Sequence, residues 1–359
     1  MSYHFLMDLA LILLSTKILG LVAQKFQMPQ VVGALIAGLI LSPAGLGLLS
    51  ETEFTAQLSE LGVIVLMFSA GMGTDIKELK NSGKAGFMVA VLGVVVPFLM
   101  GTALAWGADE LGLIETTGFL ESVFTGTILT ATSVSITVET LKEMKKLETK
   151  VGNTILAAAL IDDVLGLVAL TLVCSLAGGD ESIGMVLLKI AGFFVFAFVV
   201  GFAANRVFCW MLKRQHGWAS HRNSVFAFVL CLVMAYCAEE FFGVADITGA
   251  YAAGLAVACT PKGTYIQTKY NPLGYLLLTP VFFASIGINV QITGLTGGML
   301  AFSLLLLLIS IISKLLGCGL GAKACHFSTR ESIQVGAGMA CRGEVALIVA
   351  NRGLSMGVL

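Results

Sequence analysis

Apolar stretches long enough to cross a bilayer as helices, about 17 to 25 residues each, dominate this chain. Twelve can be counted, at roughly 5–23, 29–47, 58–74, 85–106, 119–140, 151–176, 183–209, 223–242, 245–260, 273–290, 299–322 and 331–351. Composition agrees: 57% of the 359 residues are hydrophobic, 12% are charged and mean hydropathy is +0.94. Soluble domains have nearer a quarter of their residues charged. The fold class that follows is an all-α polytopic membrane protein.

The first stretch contains Asp8 and Lys17 and is followed by no small-residue cleavage site, so it is read as retained. Lys17 can snorkel from the inner end of that span and is given a structural role. The eight cysteines lie mostly inside spans without C-x-x-C spacing and read as small apolar residues. A net charge of −1 gives no reason to expect a nucleic-acid partner.

Orientation comes from the loops. With the amino terminus outside, 16 of the 21 basic residues fall in loops that are then cytoplasmic, among them Lys77, Lys80, Lys84, Lys142, Lys145, Lys146, Lys150, Lys323 and Arg330. The opposite loops carry acids such as Glu51, Glu53, Asp109, Glu110, Asp180 and Glu181. The positive-inside rule therefore sets the amino terminus outside.

The chain also repeats itself. "GALIAGL" at 33–39 returns as "GAYAAGL" at 249–255, an offset of 216, and the same offset sets "MFSAGMG" (67–73) on "FASIGIN" (283–289). Shared small-residue packing faces are the plainer alternative. The matched spans are seven apart, an odd number, so the second copy is inverted. Inverted repeats with interrupted helices near the midplane mark secondary transporters.

Two spans are candidates for interruption. "TGTILTATSVSITV" (125–138) is crowded with hydroxyl and β-branched residues, which compete with the helical backbone and can satisfy freed carbonyls. "GAGMACRGEVALIV" (336–349) has three glycines and sets Arg342 and Glu344 two apart, where a helix would not let them face each other. Two roles are open to that pair: neutralising the exposed ends of half-helices, or binding ions directly.

"AALIDDVLGLVAL" (158–170) places Asp162 and Asp163 together at membrane depth. Adjacent helical residues point about 100° apart, so one aspartate can line a wet cavity while the other pairs across the bundle. Lys314, in "IISKLLG", is the mid-span lysine available as a partner. Desolvation raises an aspartate pKa and a nearby lysine lowers it, so the remaining aspartate suits exchange of a proton for a cation. Nucleotide-binding and serine-hydrolase motifs are absent. Two adjacent aspartates on one helix also cannot converge on one water as an aspartyl protease requires, so the chain is not read as an enzyme.

"ATSVSIT" (131–137), "IDDVLGL" (161–167), "SKLLG" (313–317) and "CRGEVALIV" (341–349), in that order, resemble the monovalent cation:proton antiporters, in particular bacterial Na⁺/H⁺ antiporters of the NapA type. The resemblance runs from the first span to the last residue. It implies a thirteen-span inverted-repeat fold with two discontinuous crossing helices, with no cofactor. It implies Asp163 as ion and proton carrier, Asp162 paired with Lys314, and Na⁺ held at Asp163, Asp162 and Thr132. Thr132 and Ser133 would lie at one crossover, with Arg342 and Glu344 in the other. It further implies a homodimer in the cell membrane built on 1–47 and 223–260, a linker at 183–209, and a mobile core of 58–176 and 273–351. Asp-Asp with a mid-span lysine resembles the electrogenic branch; K⁺/H⁺ antiport or Na⁺-coupled solute symport are the alternatives. Twelve spans are visible where the family has thirteen, so a further span is expected beyond residue 359.

Overall fold

A backbone amide in hydrocarbon has no water to bond to, and the described apolar runs are accordingly helical over most of their length. The computed structural model describes residues 4–74, 76–114, 118–176, 183–213, 220–260, 263–290, 297–343, 345–346, 349–350, 353 and 358. Among residues singled out above, Asp180, Glu181 and Glu344 lie outside the described residues.

The helices are α1 (His4–Lys25), α2 (Gln30–Leu41), α3 (Glu53–Met72), α4 (Ile76–Glu110), α5 (Phe119–Ile128), α6 (Val134–Glu143) and α7 (Lys150–Leu176). They continue as α8 (Ile183–Lys213), α9 (Ser220–Phe242), α10 (Asp246–Ala258), α11 (Gly263–Leu273), α12 (Thr279–Ile288), α13 (Gly297–Ala324) and α14 (Thr329–Gly338). A π-helical turn, Gly274–Leu278, joins α11 to α12, just before Pro280, whose missing amide disturbs the regular ladder. Eight described stretches are long and apolar enough to cross a membrane. Two of the remaining spans are broken, as expected. α5 stops at Ile128 and α6 starts at Val134, while α14 stops at Gly338 and non-helical backbone continues through Gly343.

The chain divides into two units. One comprises Met1–Asp75, Lys142–Met144 and Ala191–Ile292; the other Ile76–Leu141, Lys145–Ile190 and Thr293–Leu359. The division in sequence between Ile190 and Ala191 falls inside α8. In the first unit α1 packs on α2, α2 on α12, and α3 on both α10 and α12. Its apolar core includes Ile12, Leu41, Leu49, Val281, Ala284 and Ile288. Lys17 reaches the hydroxyl of Tyr275 at 3.4 Å, which in turn bonds Gln30 at 3.0 Å. α3 and α12 belong to this unit, whereas the resemblance groups 58–74 and 273–290 with the core. In the second unit α4 packs against α5, α7 and α13, and α14 against α13 and α7.

The repeat is visible in the first unit as paired close approaches. Gly38 of α2 sits against the carbonyl of Ala284 in α12, and Gly254 of α10 sits against the carbonyl of Phe68 in α3. Gly287 meets the carbonyl of Leu35, and Gly71 meets that of Tyr251. Each residue of one contact maps onto the other by the offset of 216. Contacts that survive exchange of the two copies are the mark of a two-fold relation, so each copy lends a helix to the other. Small residues are what allow backbones this close.

A Cβ at Gly38 would overlap the Ala284 carbonyl, so Gly38→Ala should lower stability by about 1–3 kcal/mol, the usual cost of overpacking. Gly184→Ala, where nothing lies within 4 Å, should not. Thermal unfolding of the two purified variants in detergent checks the contrast; equal midpoints would count against the close packing.

Candidate functional site

The second unit carries both interruptions, and they bond to each other. The stretch between α5 and α6 is held locally by its hydroxyls. Thr127 Oγ1 donates to the Val123 carbonyl at 3.0 Å and Thr130 Oγ1 to that of Thr127 at 2.7 Å. Ser133 begins α6 by accepting from the amide of Ile136 at 3.3 Å, the N-cap contact that a serine makes well. These are the hydroxyls whose density marked the segment in the sequence.

Across the gap the contacts are reciprocal. Thr132 Oγ1 donates to the carbonyl of Met339 at 3.4 Å, and Arg342 Nη2 donates to the carbonyl of Leu129 at 2.7 Å. Donor and acceptor are three residues apart in both segments, and 129 and 132 map onto 339 and 342 by one offset of 210. The amide of Ser133 donates to the Cys341 carbonyl at 3.1 Å, and Thr137 Oγ1 to that of Gly338 at 3.1 Å. A Cβ on Gly343 would come within 2.9 Å of Ser133 Oγ, so a glycine is needed there.

Arg342 also donates to the carbonyl of Ala131 and reaches Thr132 Oγ1 at 3.5 Å. Its guanidinium thus covers carbonyls left open just past the end of α5. A helix carboxyl end carries partial negative charge, and a fixed cation there compensates it. These are the contacts that neutralising a half-helix end, one of the two roles open to Arg342, would require. Glu344, expected beside it, lies outside the described residues.

Arg342 Nη2 extends to the carbonyl of Ser310 at 3.4 Å, one turn before Lys314 on α13. Lys314 Nζ then donates to Asp162 Oδ1 and Oδ2 at 2.9 and 3.0 Å. The two side chains are 0% and 1% exposed. A pair this dry is costly to form and costlier to break, because each partner would leave the other charged in a low dielectric. Asp163, one residue on, is only partly buried. The structure thus brings Thr132, Ser133 and Arg342 together at the crossover, and Asp162 and Lys314 together on α7 and α13.

Three contributors carry no legible mark in the sequence. Gly93 on α4 faces the pair: a Cβ there would lie 3.7 Å from both Asp162 Oδ1 and Lys314 Nζ, and 2.6 Å from Cys318 Sγ. Cys318 is fully buried beside it. The Ser310 carbonyl contributes through backbone alone. A glycine and a cysteine in apolar runs look like packing residues until their neighbours are known.

Two half-helix breaks, bonded to each other by reciprocal contacts within an inverted-repeat membrane fold, define the architecture of a secondary transporter. The chain belongs to the sodium/hydrogen exchanger family, whose transmembrane model matches residues 10–359. It is 38% identical over 361 residues to the Na(+)/H(+)-K(+) antiporter GerN of Bacillus cereus, covering 100% of this chain and 90% of that protein. It is 40% identical over 359 residues to the probable Na(+)/H(+) antiporter GerT of the same species, covering 99% and 92%. Among solved structures it is similar to the sodium proton antiporter MjNhaP1 from Methanocaldococcus jannaschii. There the TM-score is 0.73 at 20% identity, with 99% of this chain and 86% of that one covered; the likeness is one of fold.

Breaking the buried pair gives a stability test independent of transport. Lys314→Ala should cost about 3–5 kcal/mol, whereas Lys314→Met with Asp162→Leu should recover most of that loss. Thermal unfolding in detergent reads both. A single variant as stable as the parent would show that the pair is not a structural necessity.

Proposed function

We propose that this protein is a Na⁺/H⁺ antiporter in which a cation and a proton compete for Asp163 under alternating access. The observation that carries the reading is the buried Asp162–Lys314 pair next to a second, partly exposed aspartate. With Asp162 neutralised by lysine, Asp163 supplies the charge that a proton or a cation can cancel. Na⁺ is the cargo, taken by Asp163 with oxygen donors from Asp162 and Thr132. The names of the relatives support exchange of a monovalent cation for protons. GerN's name includes K⁺, which favours K⁺ as the second cargo to test.

Charge arithmetic bears on electrogenicity. Exchange of one Na⁺ for the proton on Asp163 alone moves no net charge. Net charge moves if Na⁺ also draws Asp162 away from Lys314, because the lysine, losing its counter-ion in a dry site, then releases a second proton. We take this electrogenic scheme as the working mechanism.

The second unit, which carries the pair and both breaks, is the candidate for the moving core, in an elevator-like motion. The division of the units within α8 supports 183–209 as the linker. Spans in 1–47 and 223–260 are the proposed homodimer contact, and the basic loops favour a cell-membrane protein with its amino terminus outside.

Proteoliposomes holding a pH gradient should lose it on addition of Na⁺, and Asp163→Asn should reduce that loss to the rate of empty vesicles. Exchange undiminished in Asp163→Asn would remove Asp163 as the carrier. Parallel additions of K⁺ and Li⁺ rank the cargoes, and a gradient untouched by any of them would argue against antiport.

Charge movement is a separate measurement. In a folded Lys314→Gln variant that still exchanges, Na⁺-driven current on a solid-supported membrane should vanish. Current equal to that of the parent would exclude the lysine as the second proton source.

A further inference from the structure

At one end of the second unit, the starts of α4 and α7 and the end of α13 border an open-sided cavity of about 460 Å³. Lys84, Lys150 and His326 line it, with Ser82, Thr154 and Phe327, and no carboxylate does so among the described residues. Lys84 and Lys150 are exposed, and neither is in an ion pair among the described residues. Lys150 Nζ lies 4.0 Å from the centroid of the Phe327 ring, which holds the ammonium at the wall. Glu331, the acid that feels Lys150, already accepts from the amide of Ser328 at 2.8 Å.

The third basic group is placed by backbone. α13 ends in a paired-bond turn: the Phe327 amide donates to the Ala322 carbonyl at 3.2 Å and the His326 amide to that of Lys323 at 3.0 Å. This motif needs a left-handed residue where glycine is usual. His326 takes that place with φ of 64°. The turn brings His326 and Phe327 to the same wall as the two lysines.

We infer that this cavity binds a phosphate-bearing anion, either a lipid headgroup or a soluble phosphate, through Lys84, Lys150 and His326. Its volume falls in the range of small-ligand sites. Lysines act as point charges for phosphate and hydroxyls as added donors. The amino end of α7 adds the positive pole of its dipole. Basic loops of the side assigned as cytoplasmic furnish the charges, at the level where anionic headgroups lie.

The three helices of the cavity also surround the buried pair: α7 and α13 carry it and α4 faces it at Gly93. Ala85 precedes Gly93 by eight residues, Thr154 precedes Asp162 by eight, and Ala324 follows Lys314 by ten. At about 1.5 Å per residue the cavity lies some 12–15 Å along each helix from the pair. An anion there ties together the ends of α4, α7 and α13.

The test uses the full chain in detergent and reads binding, not transport. In the lipid arm, protein extracted from vesicles of phosphatidylcholine with phosphatidylglycerol is examined by native mass spectrometry for retained phosphatidylglycerol. In the soluble arm, inorganic phosphate is titrated and thermal unfolding is followed. Lys84→Gln with Lys150→Gln should weaken binding of one probe by roughly tenfold or more, while Lys84→Arg with Lys150→Arg, and Lys25→Gln, which does not line the cavity, should bind like the parent. Loss in the lipid arm identifies a headgroup site, and loss in the soluble arm a free-phosphate site. If the double glutamine variant misfolds, the single variants carry the comparison. Variants that bind both probes like the parent, or a parent that binds neither, overturn the proposal.

Discussion

The Asp162–Lys314 pair is the constraint around which the second unit is arranged. Two opposite charges with 1% and 0% exposure persist only if each holds the other and nothing else competes. That requirement fixes the facing sides of α7 and α13 and demands a third wall without bulk. α4 supplies it at Gly93, where a Cβ would press on Cys318 and touch both charged groups. A packing choice on one helix thereby becomes an electrostatic condition on two others.

The crossover solves a related problem with backbone in place of side-chain charge. Breaking a helix at membrane depth strands carbonyls that lipid cannot satisfy. Here each broken segment supplies a donor to a carbonyl of the other, Thr132 to Met339 and Arg342 to Leu129. The backbone arrangement is nearly symmetric, but the donors are not, one being a neutral hydroxyl and the other a guanidinium. The cation goes to the carbonyls beyond α5 and also touches Ser310, one turn from Lys314. Through Arg342 the break and the ion pair share a continuous set of contacts.

Much of this was legible in the sequence because membrane depth makes certain residues expensive. The hydroxyl run of 125–138, the glycines and Arg342 of 336–349, and the lone mid-span Lys314 all stood out as costs needing a reason. The offset of 216 was readable in two short motifs, and the same residues make the exchanged glycine contacts. Spacing could not say which aspartate meets the lysine: adjacent residues differ only by rotation about a helix whose neighbours were unknown. The resemblance, not the spacing, named Asp162. Gly93, Cys318 and the Ser310 carbonyl were invisible for another reason, since their part depends on what is packed opposite. The grouping of α3 and α12 with the first unit was illegible in the same way, because hydropathy records burial without recording the neighbour.

Under the proposed mechanism, the formal charges of the site bear on coupling. With Arg342 taken up by the carbonyls beyond α5, Asp162 and Asp163 set two carboxyls against one ammonium, Lys314, leaving one negative charge when nothing is bound. A proton on Asp163 brings the set to neutrality. Na⁺ with loss of the lysine proton leaves it at one negative charge, while the form that has lost both protons and holds no Na⁺ carries two. Each unbalanced charge in a low-dielectric site costs several kcal/mol. The form lacking both protons and Na⁺ is therefore the hardest to carry across the bilayer, which penalises the uncoupled return that would waste the gradient. The dry pairing of Asp162 with Lys314 sharpens that penalty, because the second proton leaves only when a cation is there to take its place.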